Sequence, residues 1–162
     1  MEFVSRKITE EIFVPDDADY IAETEDILQN ADFQSMKNYI QHGHTSCLEH
    51  CVAVSYLSYQ TCKKRGLNAR AAARGGLLHD MFLYDWHKHY EETGHFFHGY
   101  THPKVALENA KNVFHLTEME CDIIKNHMWP LTLSLPRHKE TFVVVYHDKI
   151  CSLRETLGRP VF

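Results

Sequence analysis

Residues Asn68–Asp80 read NARAAARGGLLHD. Asn68 is a good helix-capping residue, and the alanines that follow favour a helix. Gly75 and Gly76 carry no side chain, so a neighbouring helix can approach closely at that point. The segment ends on His79 and Asp80, an imidazole and a carboxylate side by side. Two letters decide nothing alone, so the weight of this pair depends on what the flanking segments place beside it.

Immediately upstream, Ser46 and Glu49 form a Ser-x-x-Glu capping box, and Gly66 follows the basic run Lys63-Lys64-Arg65 as a stop signal. Between them lies one long predicted helix. Further back, Asp16 or Asp17 caps a helix to about Asn30, a short helix covers about 31–41, and Gly43 breaks it. Residues 1–15 form a weakly patterned leader. Downstream, residues 81–101 lack periodicity and read as an irregular aromatic loop. Pro103 suits the first turn of a helix running to about His115. Thr117 and Glu120 form a second capping box, opening a helix to about Met128. The stretch WPLTLSLPRHKE reads as a loop, and a last helix runs from about Glu140 to Leu157 and stops at Gly158. Within it, Phe142–Tyr146 has strand propensity. Helix is favoured there because no other segment offers a strand partner. The expectation is an all-α chain of about six to seven helices.

A length of 162 residues and 44% apolar content suit one globular domain with a real core. No apolar run approaches membrane-spanning length, and MEFVSRKITEE has acidic residues where an export signal needs apolar ones. A cytoplasmic location is expected. The net charge of −5 argues against a dedicated nucleic-acid binder. The five cysteines include no Cys-x-x-Cys pair and read as buried, reduced thiols. Histidine is the outlier, at thirteen residues.

Placement gives those histidines meaning. Side chains three or four residues apart share a helix face. On that rule His50 lies with Cys47, Val54 and Leu57, and His79 with Ala72 and Gly75. His102 leads a face carrying Val105, Ala106, Asn109 and Val113, while His127 follows Ile123 and Ile124. Asp148 follows Val144 and Val145. A single core histidine bonded to a carbonyl is commoner than a ligand. Five helices each turning a metal-type side chain inward is much harder to reach by accident. A buried aspartate is costly unless it is paired or binds metal. Four histidines and two aspartates suit iron, manganese, zinc, cobalt or nickel, and six ligands suit two metals with exchangeable waters.

This ordered set resembles the HD-domain superfamily of metal-dependent phosphohydrolases, in its binuclear branch. The first histidine matches His50 in EHCVAVSYLS, the doublet matches His79-Asp80 in GGLLHDMF, and the closing aspartate matches Asp148 in YHDKICS. The extra histidines of the branch match His102 in HPKVALENA and His127 in IIKNHMWP. His98 competes for the third place, but Pro103 and Val105-Ala106 fit the pattern better after His102. The HD-GYP signature is absent, since His98-Gly99-Tyr100 only echoes it. The resemblance covers about residues 44–157, a metal-binding helical core, and leaves 1–43 as a leader with N-terminal helices.

The resemblance implies a compact helical bundle and a phosphomonoester, phosphodiester or phosphoanhydride substrate that is small and nucleotide-like. It implies two divalent transition metals bridged by Asp80, with His50, His79 and Asp148 completing one and His102 and His127 holding the other. Water activated by those metals would attack phosphorus, so His79 and Asp80 are the catalytic pair. Among family members a lysine often follows the last aspartate, which marks Lys149 as a phosphate contact. Arg137 and His138, in the loop after His127, are further substrate candidates beside the plainer reading of a solvated loop. Asp85 and His87 are candidates for a proton donor or for support of a ligand, and His89 lies close by. Tyr84 and Trp86 suit stacking on a base or plain core packing. His42 and His44 read first as a solvated loop, and Lys104 and Lys125 as solvent-facing. Two other functions use the same fold. A di-iron oxygenase shares the ligand set, and a non-catalytic nucleotide or metal sensor would usually have lost ligands.

Overall fold

A computed structural model describes residues 5–9, 12–85 and 98–159, with side chains described over 14–85 and 100–159. The long helices fall where the capping signals put them. Asp17 caps α1 (Ala18–Leu28), its side chain accepting from the Tyr20 N–H. Asn30 caps α2 (Ala31–Ser35), which tightens into a 3₁₀ turn over Met36–Asn38. Both arms of the Ser46/Glu49 capping box form at the start of α3 (Cys47–Arg65), and Gly66 ends it at φ 66°. Asn68 caps α4 (Ala69–Leu78). Then come α5 (His98–Val113), α6 (Glu118–Asn126), capped by the Thr117/Glu120 box, and α7 (Lys139–Thr156). The all-α expectation holds, with seven α-helices among the described residues.

Three local readings are corrected. The leader forms an antiparallel hairpin of β1 (Ser5–Thr9) and β2 (Ile12–Pro15). Its strands are rich in β-branched and aromatic residues, but the intervening Glu10-Glu11 carries none of the turn chemistry that announces a hairpin. The helix expected over 31–41 stops at Asn38, and Ile40–His42 (β3) pairs with Thr45–Ser46 (β4) around Gly43. The helix expected to begin near Pro103 begins at His98, with Pro103 inside it. An interior proline forgoes its own helical hydrogen bond and crowds the carbonyl four residues back, but its φ is helical, so its position alone does not set where the helix starts.

The segment Phe142–Tyr146, with its strand propensity, is helical. Val144 and Val145 face the core while Phe142 and Tyr146 are exposed, so amphipathic packing overrides the propensity.

Helices α3 and α4 pack closely because Gly76 lies against the Ser55 backbone. A Cβ there would sit 2.7 Å from the Ser55 Cα. Gly75 faces α6 in the same way, with Ile123 side-chain carbons within 2.6–2.8 Å of where a Cβ would stand. The buried Arg74 bridges α1 and α6, donating to Asp26, Glu120 and the Glu23 carbonyl. From α1, Tyr20, Ile27 and Leu28 join the same core cluster as Leu48, Leu77 and Ile124, so the N-terminal helix is part of the packed body. Among the described residues, no helix is long and apolar enough to cross a membrane.

Candidate metal centre

Each side chain of the predicted set is placed by a local feature of its own element. The capping box fixes the start of α3, so His50 lies in its first turn, facing inward and fully buried. His79 is the C-cap of α4 rather than an interior residue, and Asp80 follows it out of the helix. His127 is likewise the C-cap of α6. His102 lies within α5, and Asp148 lies on the inner face of α7 with Val144 and Cys151. All six are buried.

Two of the histidines are oriented by their own helices. His79 Nδ1 lies 2.8 Å from the Gly76 carbonyl, and His127 Nδ1 lies 2.9 Å from the Ile124 carbonyl. A carbonyl only accepts, so Nδ1 carries the proton in both. When either ring is neutral, its Nε2 is a lone pair aimed into the centre.

The carboxylate of Asp80 stands between two groups of rings. Its Oδ1 is 3.2 Å from His102 Nε2 and 3.3 Å from His127 Nε2. Its Oδ2 is 3.3 Å from His79 Nε2 and 3.9 Å from His50 Nε2. Asp148 Oδ1 closes the second group, 3.2 Å from His50 Nε2 and 3.7 Å from His79 Nε2. Two ligand trios result, His50-His79-Asp80 and Asp80-His102-His127, each with donor atoms within 4.8 Å of one another. His79 Nε2 and Asp80 Oδ1 are buried without a hydrogen-bond partner. Buried polar atoms of that kind are rare and call for a ligand. The imidazole and carboxylate donors, the orphaned atoms and the shared carboxylate all fit a pair of divalent transition metals.

Electrostatics divide the centre in two. Burial opposes a charge on His50, but hydrogen bonds to Asp148 and Glu155 outweigh it and carry its pKa to about 10. His79 also rises well above the ordinary imidazole value: burial again opposes charge, and Asp80 overcomes it. Burial resists ionisation of Asp80 and Asp148 too. Proximity to the imidazoles, His79 first and then His102 and His127, nevertheless holds Asp80 well below the carboxylate range, and proximity to His50 and His79 does the same for Asp148. His127 goes the other way, pushed by burial to about 4, and stays neutral at pH 7.

The surroundings add groups that the sequence reading did not single out. Glu155, one helical face along α7 from Asp148, is buried and holds His50 Nδ1 with oxygens at 2.9 and 3.1 Å. That is the carboxylate–histidine support common behind metal ligands. Its spacing of seven from Asp148 was a usable signal. Gln41 on β3 donates from Nε2 to Asp80 Oδ2 at 2.5 Å. His42 stands edge-on to the His50 ring, with centroids 5.7 Å apart, and is half-buried, not a residue of a solvated loop. Cys47 and Cys51 do share a buried face, behind the doublet: one thiol meets the Asp80 carbonyl, the other lies 3.9 Å from His79 Nδ1.

Among the described substrate candidates, Lys149 is placed at the centre, its ammonium 2.7 Å from Asp148 Oδ2. Arg137 and His138 lie elsewhere. Their backbone N–H groups donate to the buried Asp122, and both line a separate polar cleft with Lys111, Lys125 and Asn126 that contains none of the six ligands. Asp85 is half-buried after the doublet, and Tyr84 packs on Phe82. Trp86, His87 and His89 lie outside the described residues, as does the side chain of His98. His44, Lys104 and Lys125 are exposed. Val113 is exposed as well, because α5 ends there. The cysteines are free, and four of the five are buried, with Cys121 intermediate.

Comparison with curated proteins and with solved structures yields no match. The HD-domain family model matches residues 47–150. That span contains both trios and most of the helical body. HD domains bind divalent metals and are mostly metal-dependent hydrolases. The chain belongs to the HD-domain family, within the superfamily of metal-dependent phosphohydrolases.

Proposed function

We propose that this chain is a binuclear metal-dependent phosphohydrolase acting on a small, nucleotide-like phosphoester or phosphoanhydride. The observation that carries the reading is the sharing of one carboxylate, Asp80, by two buried trios of metal-type donors. His50, His79 and Asp148 would complete one metal position, and His102 and His127 the other. Iron, manganese, zinc, cobalt and nickel all suit these donors. Bound there, such ions supply Lewis-acid stabilisation of phosphate oxygens and water that ionises near neutral pH.

The chain's own groups do the rest. Asp80 and Asp148 hold the cations, and the Nδ1–H bonds of His79 and His127 fix the direction of their rings. The Lys149 ammonium, 43% exposed and beside Asp148, is positioned to meet a phosphate oxygen at the mouth of the site. The free thiols fit a reducing compartment, and we place the protein in the cytoplasm.

The test is a phosphate-release screen over nucleotides, cyclic and linear dinucleotides and phosphorylated metabolites, with manganese, iron, cobalt and nickel supplied in turn. Release that requires metal supports the reading. Full-rate release by exhaustively demetallated protein sinks it, and oxygen uptake by an iron-loaded sample without phosphate release would turn the assignment to an oxygenase.

A further inference from the structure

Gln41 stands outside the ligand set, yet its side chain bonds the carboxylate that the two trios share. It is 7% exposed. Because an ionised carboxylate only accepts, the atom facing Asp80 Oδ2 must be the amide nitrogen, which fixes which way the amide points. The amide oxygen is then defined too, and it is buried without a hydrogen-bond partner. Amide O and N are about 2.2 Å apart by covalent geometry, so this oxygen lies within about 5 Å of Asp80 Oδ2. A buried carbonyl-type oxygen left unpaired is destabilising, so it marks a place for a donor.

The backbone around Gln41 is built to keep it there. Gln41 is the middle residue of β3, and the turn that follows depends on Gly43 at φ 59°. A Cβ on Gly43 would lie 2.7 Å from the Glu155 carbonyl oxygen, so the hairpin is seated directly on α7. At the other end, the Cys47 N–H donates to the Tyr39 carbonyl at 2.7 Å and ties the hairpin to the start of α3. The hairpin is therefore clamped between the helix that carries His50 and the helix that carries Asp148 and Glu155.

We propose that Gln41 is a positioning residue of the centre. Its N–H occupies one lone pair of Asp80 Oδ2 and stops the carboxylate from rotating, so that Oδ1 stays aimed at His102 and His127 while Oδ2 stays aimed at His79 and His50. Its free amide oxygen receives a hydrogen bond from a donor held at the centre, a water molecule or a substrate hydroxyl. This role rests on the two-metal reading above.

Cobalt(II) titration of demetallated protein, followed by visible absorption and by metal stoichiometry, tests it without reference to turnover. Gln41→Met removes both polar atoms at nearly constant volume. Gln41→Glu keeps an oxygen and loses the donor. Circular dichroism and thermal unfolding in chelator establish which variants fold, and either folded variant decides the question. The expected result is two cobalt ions in the parent protein, at least tenfold weaker binding in each variant, and an altered visible spectrum. Gln41→Asn, which keeps the amide on a shorter stem, should recover part of the affinity. Parent-like affinity and spectrum in a folded variant would overturn the role of Gln41 alone. A parent protein that takes up no cobalt would overturn the two-metal reading and the role of Gln41 with it.

Discussion

The Nε2 atoms of His102 and His127 stand 2.8 Å apart, each within 3.3 Å of the same oxygen of Asp80. His127 donates its Nδ1 proton to Ile124, so its Nε2 offers only a lone pair. Two ring nitrogens and a carboxylate oxygen thus converge on one point, and a cation there satisfies all three. His127→Ala is expected to reduce bound metal from two equivalents to one, measured by elemental analysis after dialysis. Two retained equivalents would remove His127 from the ligand set.

Asp80 belongs to both trios, so Asp80→Ala should cost both metals where His127→Ala costs one. Phosphate release should fall to background, while the helical circular dichroism stays that of the parent protein. Activity above a tenth of the parent would contradict a shared carboxylate.

The Glu155 carboxylate holds the side of the His50 ring that faces away from Asp148. Supporting residues of this kind typically contribute 10–100-fold to metal affinity. Glu155→Gln keeps an acceptor for His50 Nδ1 and should lose less affinity than Glu155→Ala. Equal affinities for all three proteins would show that the carboxylate serves packing.

Gly76→Ala tests the helix contact behind the doublet. A Cβ 2.7 Å from the Ser55 Cα meets backbone, which cannot swing aside. Overpacking of this kind costs about 1–3 kcal/mol, measurable by denaturant unfolding. At Gly75 the added carbon would meet the Ile123 side chain at Cγ2 and Cβ, which valine keeps, so a paired Gly75→Ala, Ile123→Val variant should recover little of the loss.

Asp122 gives a pH dependence separate from the metals. Burial opposes its charge, but the Thr141 hydroxyl, the Asn126 amide and the N–H groups of Arg137 and His138 outweigh that and hold its pKa below the usual value. A carboxylate with a lowered folded pKa stabilises the fold above its unfolded value, about 3.9, and loses that contribution as pH falls through the folded value. Asp122→Asn should therefore lower the melting temperature at pH 7, with the gap to the parent narrowing in acid below about pH 4. A gap independent of pH would mean that the ionised form is not what the loop needs.

Much of the helical frame was legible because caps are local. Ser46 with Glu49, Thr117 with Glu120, Asn68 and Gly66 each state a helix end within a few residues. The convergence of the six candidate ligands was legible because a polar side chain on an apolar face is conspicuous at helical spacing. What escaped was tertiary. Nothing local pairs Ser5–Thr9 with Ile12–Pro15, and nothing near Gln41 in the chain tells that it meets a residue 39 positions away. The fate of the 131–138 loop was hidden for the same reason. Arg137 and His138 are basic in sequence, but their backbone amides are drawn to Asp122.

The hairpin seated on Glu155 also bears on where this domain can be cut. The matched family span, residues 47–150, encloses all six ligands yet excludes both Gln41 and Glu155. A fragment trimmed to that span would keep every donor and lose the two side chains that aim Asp80 and His50. The packed unit therefore extends past the recognisable motif at both ends, back through β3 to α1, whose Tyr20, Ile27 and Leu28 belong to the same core cluster, and forward to the last turn of α7.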